Sequence, residues 1–157
     1  MFGGPAVQGG WDLDRTEWTD ADFEELSWHD NHVHGITINS AATVFGELIL
    51  DLDFIVEWVC APGGSCDFRI APATLTFREV TDLKIAIDYA SVSASVCPFS
   101  IAGIKRTPRD SGRSFDWAIE VNWPRGEISF QASGFRQTLR GPVRVSSEQR
   151  LAAADRL

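Results

Sequence analysis

The chain has 157 residues, 44% of them hydrophobic and 11% aromatic, with 10 Phe and 6 Trp. That is enough large apolar material for one packed core, and it excludes a globally disordered chain. The formal net charge of -8, from 22 acidic and 14 basic residues, repels phosphate backbones and anionic membranes, so it counts against nucleic acid and lipid; it fits a basic protein partner, although solubility alone explains the same charge in most acidic proteins.

In chain order, residues 1–18 read as a loosely ordered leader, with Gly and Pro ahead of Trp11 and Trp18. Thr19, followed by Asp22, Phe23, Glu24, Glu25 and Leu26, predicts a short capped helix ending before Trp28. Val33 to Asn39 reads as a strand with His32, His34, Ile36 and Ile38 on one face, and Ser40 to Thr43 as a turn. From Val44 to Val59 the alternation is the clearest in the chain. Leu48, Leu50, Leu52, Phe54, Val56 and Trp58 form a greasy face, and Glu47, Asp51, Asp53 and Glu57 an acidic, wet one.

The Pro62-Gly63-Gly64 loop then returns the chain into Cys66 to Phe77, where the apolar parity changes around Pro72 and predicts a bulge or corner. Leu83, Ile85 and Ile87 alternate again, and Cys97 to Lys105 forms another run. Thr107 to Ser114 is a polar connection into Phe115, Trp117, Ile119, Val121 and Trp123. Pro124-Arg125-Gly126 turns into Ile128, Phe130 and Ala132, and Ser133-Gly134 shifts parity before Phe135, Gln137 and Leu139. Ser146 with Gln149, Leu151 and three alanines predicts a short C-terminal helix over 146–157. The expectation is one all-β domain over 1–157. It is an antiparallel sandwich or partly closed barrel of about seven or eight strands with short terminal helices.

The three cysteines make no CxxC pair, which suits thiols in a reducing compartment, although Cys60 and Cys66 flank a loop across which they would meet in an oxidising one. No basic-then-apolar leader opens the sequence and no run approaches the roughly 20 apolar residues that span a bilayer, so the expected location is the cytoplasm.

All three histidines lie in Trp28-His29-Asp30-Asn31-His32-Val33-His34. On a strand, His32 and His34 would share a face about 7 Å apart, close enough for one metal, with His29 curling back from the loop. This motivates a metal-dependent enzyme built on His29, His32 and His34 as an alternative function. Parity argues against completing it with Asp51 or Asp53: if Ile36 and Ile38 face the leucines, the histidines and acids point apart. The structural reading gives Trp28 the junction, Asp30 the role of hydrogen-bond acceptor, and the histidines the rim of the sheet. No nucleophile elbow or phosphate loop is present, and no cofactor is called for. A second alternative is a barrel holding a small apolar ligand among its Phe and Trp side chains.

The Trp28-His29-Asp30 segment, the short strand after it, the Leu-rich acidic strand from Glu47 and Val80-Thr81-Asp82-Leu83 occur in an order that resembles small all-β bacterial proteins of unknown function. Some of these are classed as immunity proteins of polymorphic toxin systems. The resemblance covers residues 28–85. It implies a non-enzymatic cytoplasmic protein that neutralises a toxin by direct binding, with acidic residues for steering and aromatic anchors for affinity. The binding candidates are Trp28, His29, Asp30, His32, His34, Asp51, Asp53 and Glu57. Oligomeric state has no sequence signature here.

Overall fold

A computed structural model describes residues 14–40, 45–90 and 95–156; Trp11 and most of the turn placed at Ser40 to Thr43 lie outside them. The fold is all-β. Nine strands among the described residues form one antiparallel sheet: β1 Glu17–Thr19, β2 His32–Asn39, β3 Gly46–Cys60, β4 Cys66–Ile87, β5 Phe99–Pro108, β6 Phe115–Trp123, β7 Gly126–Ala132, β8 Gly134–Leu139 and β9 Arg144–Ser146.

The sheet curls back on itself through β4. Its order runs β1-β8-β4-β3-β2-β5-β6-β7, and β7 returns to pair with β4, giving a partly closed barrel. One edge of β4 pairs with β3, while the other takes β9 at residues 68–70, β8 at 73–78 and β7 at 81–87. Glu79 (φ 55°) and Asp82 (φ 52°) adopt left-handed backbone where β4 passes from β8 to β7, turning the corner that closes the ring. The start of β7 approaches β4 so closely that a Cβ on Gly126 would sit 2.3 Å from the Ala86 carbonyl oxygen. The β3–β4 connection uses Gly63 (φ 106°) and Gly64 (φ 97°), a conformation L side chains adopt only at a cost.

Inside the ring, Leu48, Leu50, Leu52, Leu75, Phe77, Trp117, Phe130 and Phe135 are all at most 2% exposed, each contributing roughly 1.5–3 kcal/mol by burial. Phe23 plugs one end, edge-on to Trp117 at 5.6 Å, with the Arg106 guanidinium 4.3 Å above its ring. Trp18, read as part of the leader, is a core residue at 1% exposure on β1, and packs on Phe54 at 5.1 Å.

Of three local expectations, one holds and two are corrected. The segment after Thr19 is the short capped helix expected there, of 3-10 type over Asp20–Glu25, with the Thr19 N–H bonding Asp22 Oδ2 at 2.9 Å. The tail read as a helix from Ser146 is instead β9, a stretch of bends and a 3-10 turn at Ala153–Arg156, with the Ser146 hydroxyl accepting the Glu148 N–H. Contacts from Gln149, Leu151 and Arg156 to the sheet hold that tail as a strap, and they override the helical preference of its alanines.

The second correction concerns the acidic face of β3. It is not wet throughout: Asp53 and Ile55 are 0% and 4% exposed, because the strap lies over them and Leu151 packs with Ile55, Phe68 and Ile70 in a second apolar cluster, while Asp51 and Glu57 are half-buried. This also explains the apparent parity change near Pro72. Strand β4 runs through Pro72 in continuous register with β3 and buries both faces, Phe68 and Ile70 outward and Ala73, Leu75 and Phe77 inward.

Candidate functional site

Two bulges place the residues singled out by the sequence. In β2, Val33 pairs with Leu52 and Gly35 with Asp51, leaving His34 as the extra residue. Val33 and Ile36 therefore both reach the inner core, and the even-position rule breaks between His34 and Ile36. In β3 the shift falls between Ile55 and Glu57, so Val56 points inward and Trp58 is turned out against Phe68, edge-on at 5.0 Å. Trp58 is thus not part of the inner greasy face.

The β2 bulge overturns the separation of acids and histidines. His34 Nε2 lies 2.8 Å from Asp53 Oδ2, and the same oxygen accepts the Leu151 N–H at 3.0 Å. Arg156 of the strap contacts both Asp53 and Asp51, and Arg140 contacts the same Asp51 oxygen, Oδ1. A buried, unmatched carboxylate would cost several kcal/mol; here a guanidinium, an imidazole and a backbone N–H offset that cost. Burial, with Arg156 next, pushes His34 down to about 4. The charge of Asp53 is already matched by Arg156, so the imidazole stays neutral and donates its Nε2–H. Glu57 stands 3.8 Å from Arg69. The acidic stripe is therefore largely matched by arginines within the molecule.

The Trp28-His29-Asp30 turn joins three parts of the fold. Trp28 is buried and its Nε1–H donates to Oε1 of the fully buried Gln137 at 2.8 Å. Asp30 holds a left-handed φ of 62°, which Asp tolerates better than most residues. Its N–H donates to the Ile101 carbonyl, and its two carboxylate oxygens accept from Asn122 Nδ2 and Gln149 Nε2, each at 3.0 Å. His32 is half-buried beside the strap, and desolvation lowers its pKa. His29 faces outward: Nδ1–H donates to the Ala102 carbonyl at 3.1 Å, Nε2 lies 3.4 Å from Asp30, and the ring stacks on Trp58 at 6.3 Å.

The three histidines thus have three different neighbourhoods, and among the described residues no group of three His, Cys, Asp or Glu side chains is placed to hold a metal ion. The partners that sequence reading missed are Arg140, Arg156, Gln137, Gln149 and Leu151, all far along the chain and carrying no motif. Cys60 and Cys66 form a disulfide across the β3–β4 loop, whereas Cys97 is free. No helix among the described residues is long and apolar enough to cross a membrane. No known protein family, curated protein or solved structure matches the chain.

Proposed function

We propose that this protein is a non-enzymatic binding protein of the toxin-immunity type, acting in the cytoplasm and engaging a partner protein through the aromatic surface around His29 and Trp58. One observation carries the reading. Among the candidate residues, Trp28, Asp30, His34, Asp51 and Asp53 are tied into the architecture, whereas His29 faces outward and stacks on Trp58, a residue outside the candidate set that the β3 bulge turns to the surface. Trp58 is braced from behind by Phe68, and its neighbour Val59 is 47% exposed. A tryptophan held rigid at low entropic cost is the kind of anchor that dominates protein interfaces. The net charge of -8 supports a basic partner by steering. In a reducing cytoplasm the Cys60–Cys66 link would open, leaving the hairpin to its strand pairing.

Co-expression with the product of the neighbouring gene tests the proposal. The expected result is protection of the cells and a complex that co-purifies, with Trp58→Ala weakening binding by about thirtyfold or more. Absence of both protection and complex would overturn it.

A further inference from the structure

A second site lies beneath the strap, on the opposite side of His34 from the core. A cavity of about 400 Å³ opens there, with His34, Arg150 and Arg156 on its polar side and Pro98, Leu151 and Ala153 among its apolar wall. We propose that this cavity binds a small organic anion, a monocarboxylate with a short apolar body.

The charge arrangement selects an anion. Most arginines in this acidic chain meet carboxylates, Arg78 on Asp20, Arg109 on Asp116 and Arg136 on Glu17 among them; Arg113 and Arg125, like Arg150, have no side-chain partner among the described residues, but neither lines this cavity. Arg150 has no hydrogen-bond or ion-pair partner among the described residues, and it is solvent-exposed at the mouth of a cavity. The surroundings of His34 agree: after burial, which lowers its pKa most, Arg156, Arg150 and Arg140 are close enough to lower it further, against Asp51 in the other direction. In a molecule of net charge -8, a locally positive cleft is the exception, and it concentrates anions.

The same arrangement selects a carboxylate over a phosphate. Arg156 already faces Asp51 and Asp53, so one full positive charge, that of Arg150, is free to match a ligand. A monoanion is balanced by it, and a guanidinium fork fits a carboxylate with two parallel hydrogen bonds. A phosphate dianion would leave about one charge unmatched. The walls of Pro98, Leu151 and Ala153 give the ligand's carbon chain a surface to cover, and the volume is within the range of small-molecule sites. Neutral His34, with Nε2–H held by Asp53, keeps an Nδ1 lone pair that can accept a hydrogen bond from a ligand hydroxyl or amide.

The test is a titration of the full chain, nitrogen-15 labelled, with butyrate, its neutral isostere butyramide, and inorganic phosphate. Saturable shifts of the Ala152, Ala153 and Arg156 amides are expected with butyrate, weaker ones with phosphate and none with butyramide. Arg150→Met should weaken butyrate binding about tenfold or more while leaving the rest of the spectrum in place, and Arg150→Lys should keep part of the affinity. The proposal is overturned by shifts that do not saturate, by butyramide matching butyrate, by phosphate binding more tightly, or by Arg150→Met binding as the parent does. None of these readouts involves the His29–Trp58 surface, so the outcome is independent of the partner-binding proposal.

Discussion

His34 and Asp53 are joined by a 2.8 Å contact that depends on a single extra residue in β2 and on a strap arriving about a hundred residues later. Burial of the imidazole at this contact, with Arg156 next, sets a pH dependence with a definite sign. His34 has a folded-state pKa of about 4 against an ordinary 6.5, so between these values the unfolded chain binds more protons. Its contribution is fully present above the unfolded pKa and is lost as pH falls through the window toward 4; burial shifts His32 in the same direction. Urea unfolding at about pH 7 and about pH 5 should show a loss on the order of 1–3 kcal/mol, and His34→Gln should flatten that slope. A parent protein equally stable at both values would contradict the assignment.

Asp53→Ala should be among the most destabilising substitutions in the molecule, at about 3–5 kcal/mol, because it strips the Leu151 N–H and the His34 Nε2–H of their acceptor and leaves the Arg156 guanidinium with Asp51 alone. The double variant Asp53→Ala with Arg156→Ala should be less destabilised than the sum of the two single variants by about 1 kcal/mol or more. A thermodynamic cycle from denaturant melts measures this, and strict additivity would show that the pair is not coupled.

Trp28→Phe keeps most of the buried ring but removes the donor that reaches Gln137. With Gln137 fully buried, its oxygen loses its partner and stability should drop by about 1–3 kcal/mol. Adding Gln137→Leu to Trp28→Phe should restore part of the loss in thermal melts. A second substitution that only deepens the loss would assign the cost to packing instead.

Replacing Cys60 and Cys66 with Ser should cost at most about 2 kcal/mol and leave the far-ultraviolet circular dichroism unchanged. The closed loop is short, and β3 is paired with β4 from end to end without it. The same limit applies to the parent protein melted with and without reductant.

The fold class was legible because alternation over Leu48 to Phe54 and over Trp117 to Val121 is strict, and those side chains do line the inner core. What escaped the pattern has identifiable causes. One-residue bulges at His34 and Val56 reverse the facing of everything beyond them and leave no compositional mark, which is why Trp58 was placed inward and His34 away from Asp53. The acids of β3 looked solvated because alternation reports two faces, not what covers them. The cover, Leu151 and Arg156, belongs to a tail whose alanines and capping pattern spell a helix. Of the candidate site, the residues of the Trp28 to His34 segment were legible as a group, but their partners were not.

Strand β4 has a nearby mate on one edge only. Strand β3 reaches it through the loop from Ala61 to Ser65, whereas β7, β8 and β9 on its other edge begin at Gly126 or later. A β3–β4 hairpin can therefore assemble early, displaying a long row of unpaired amides and carbonyls until the remaining chain wraps around. During that interval, association with another molecule's bare edge competes with ring closure, making dilution during refolding favourable to the monomer.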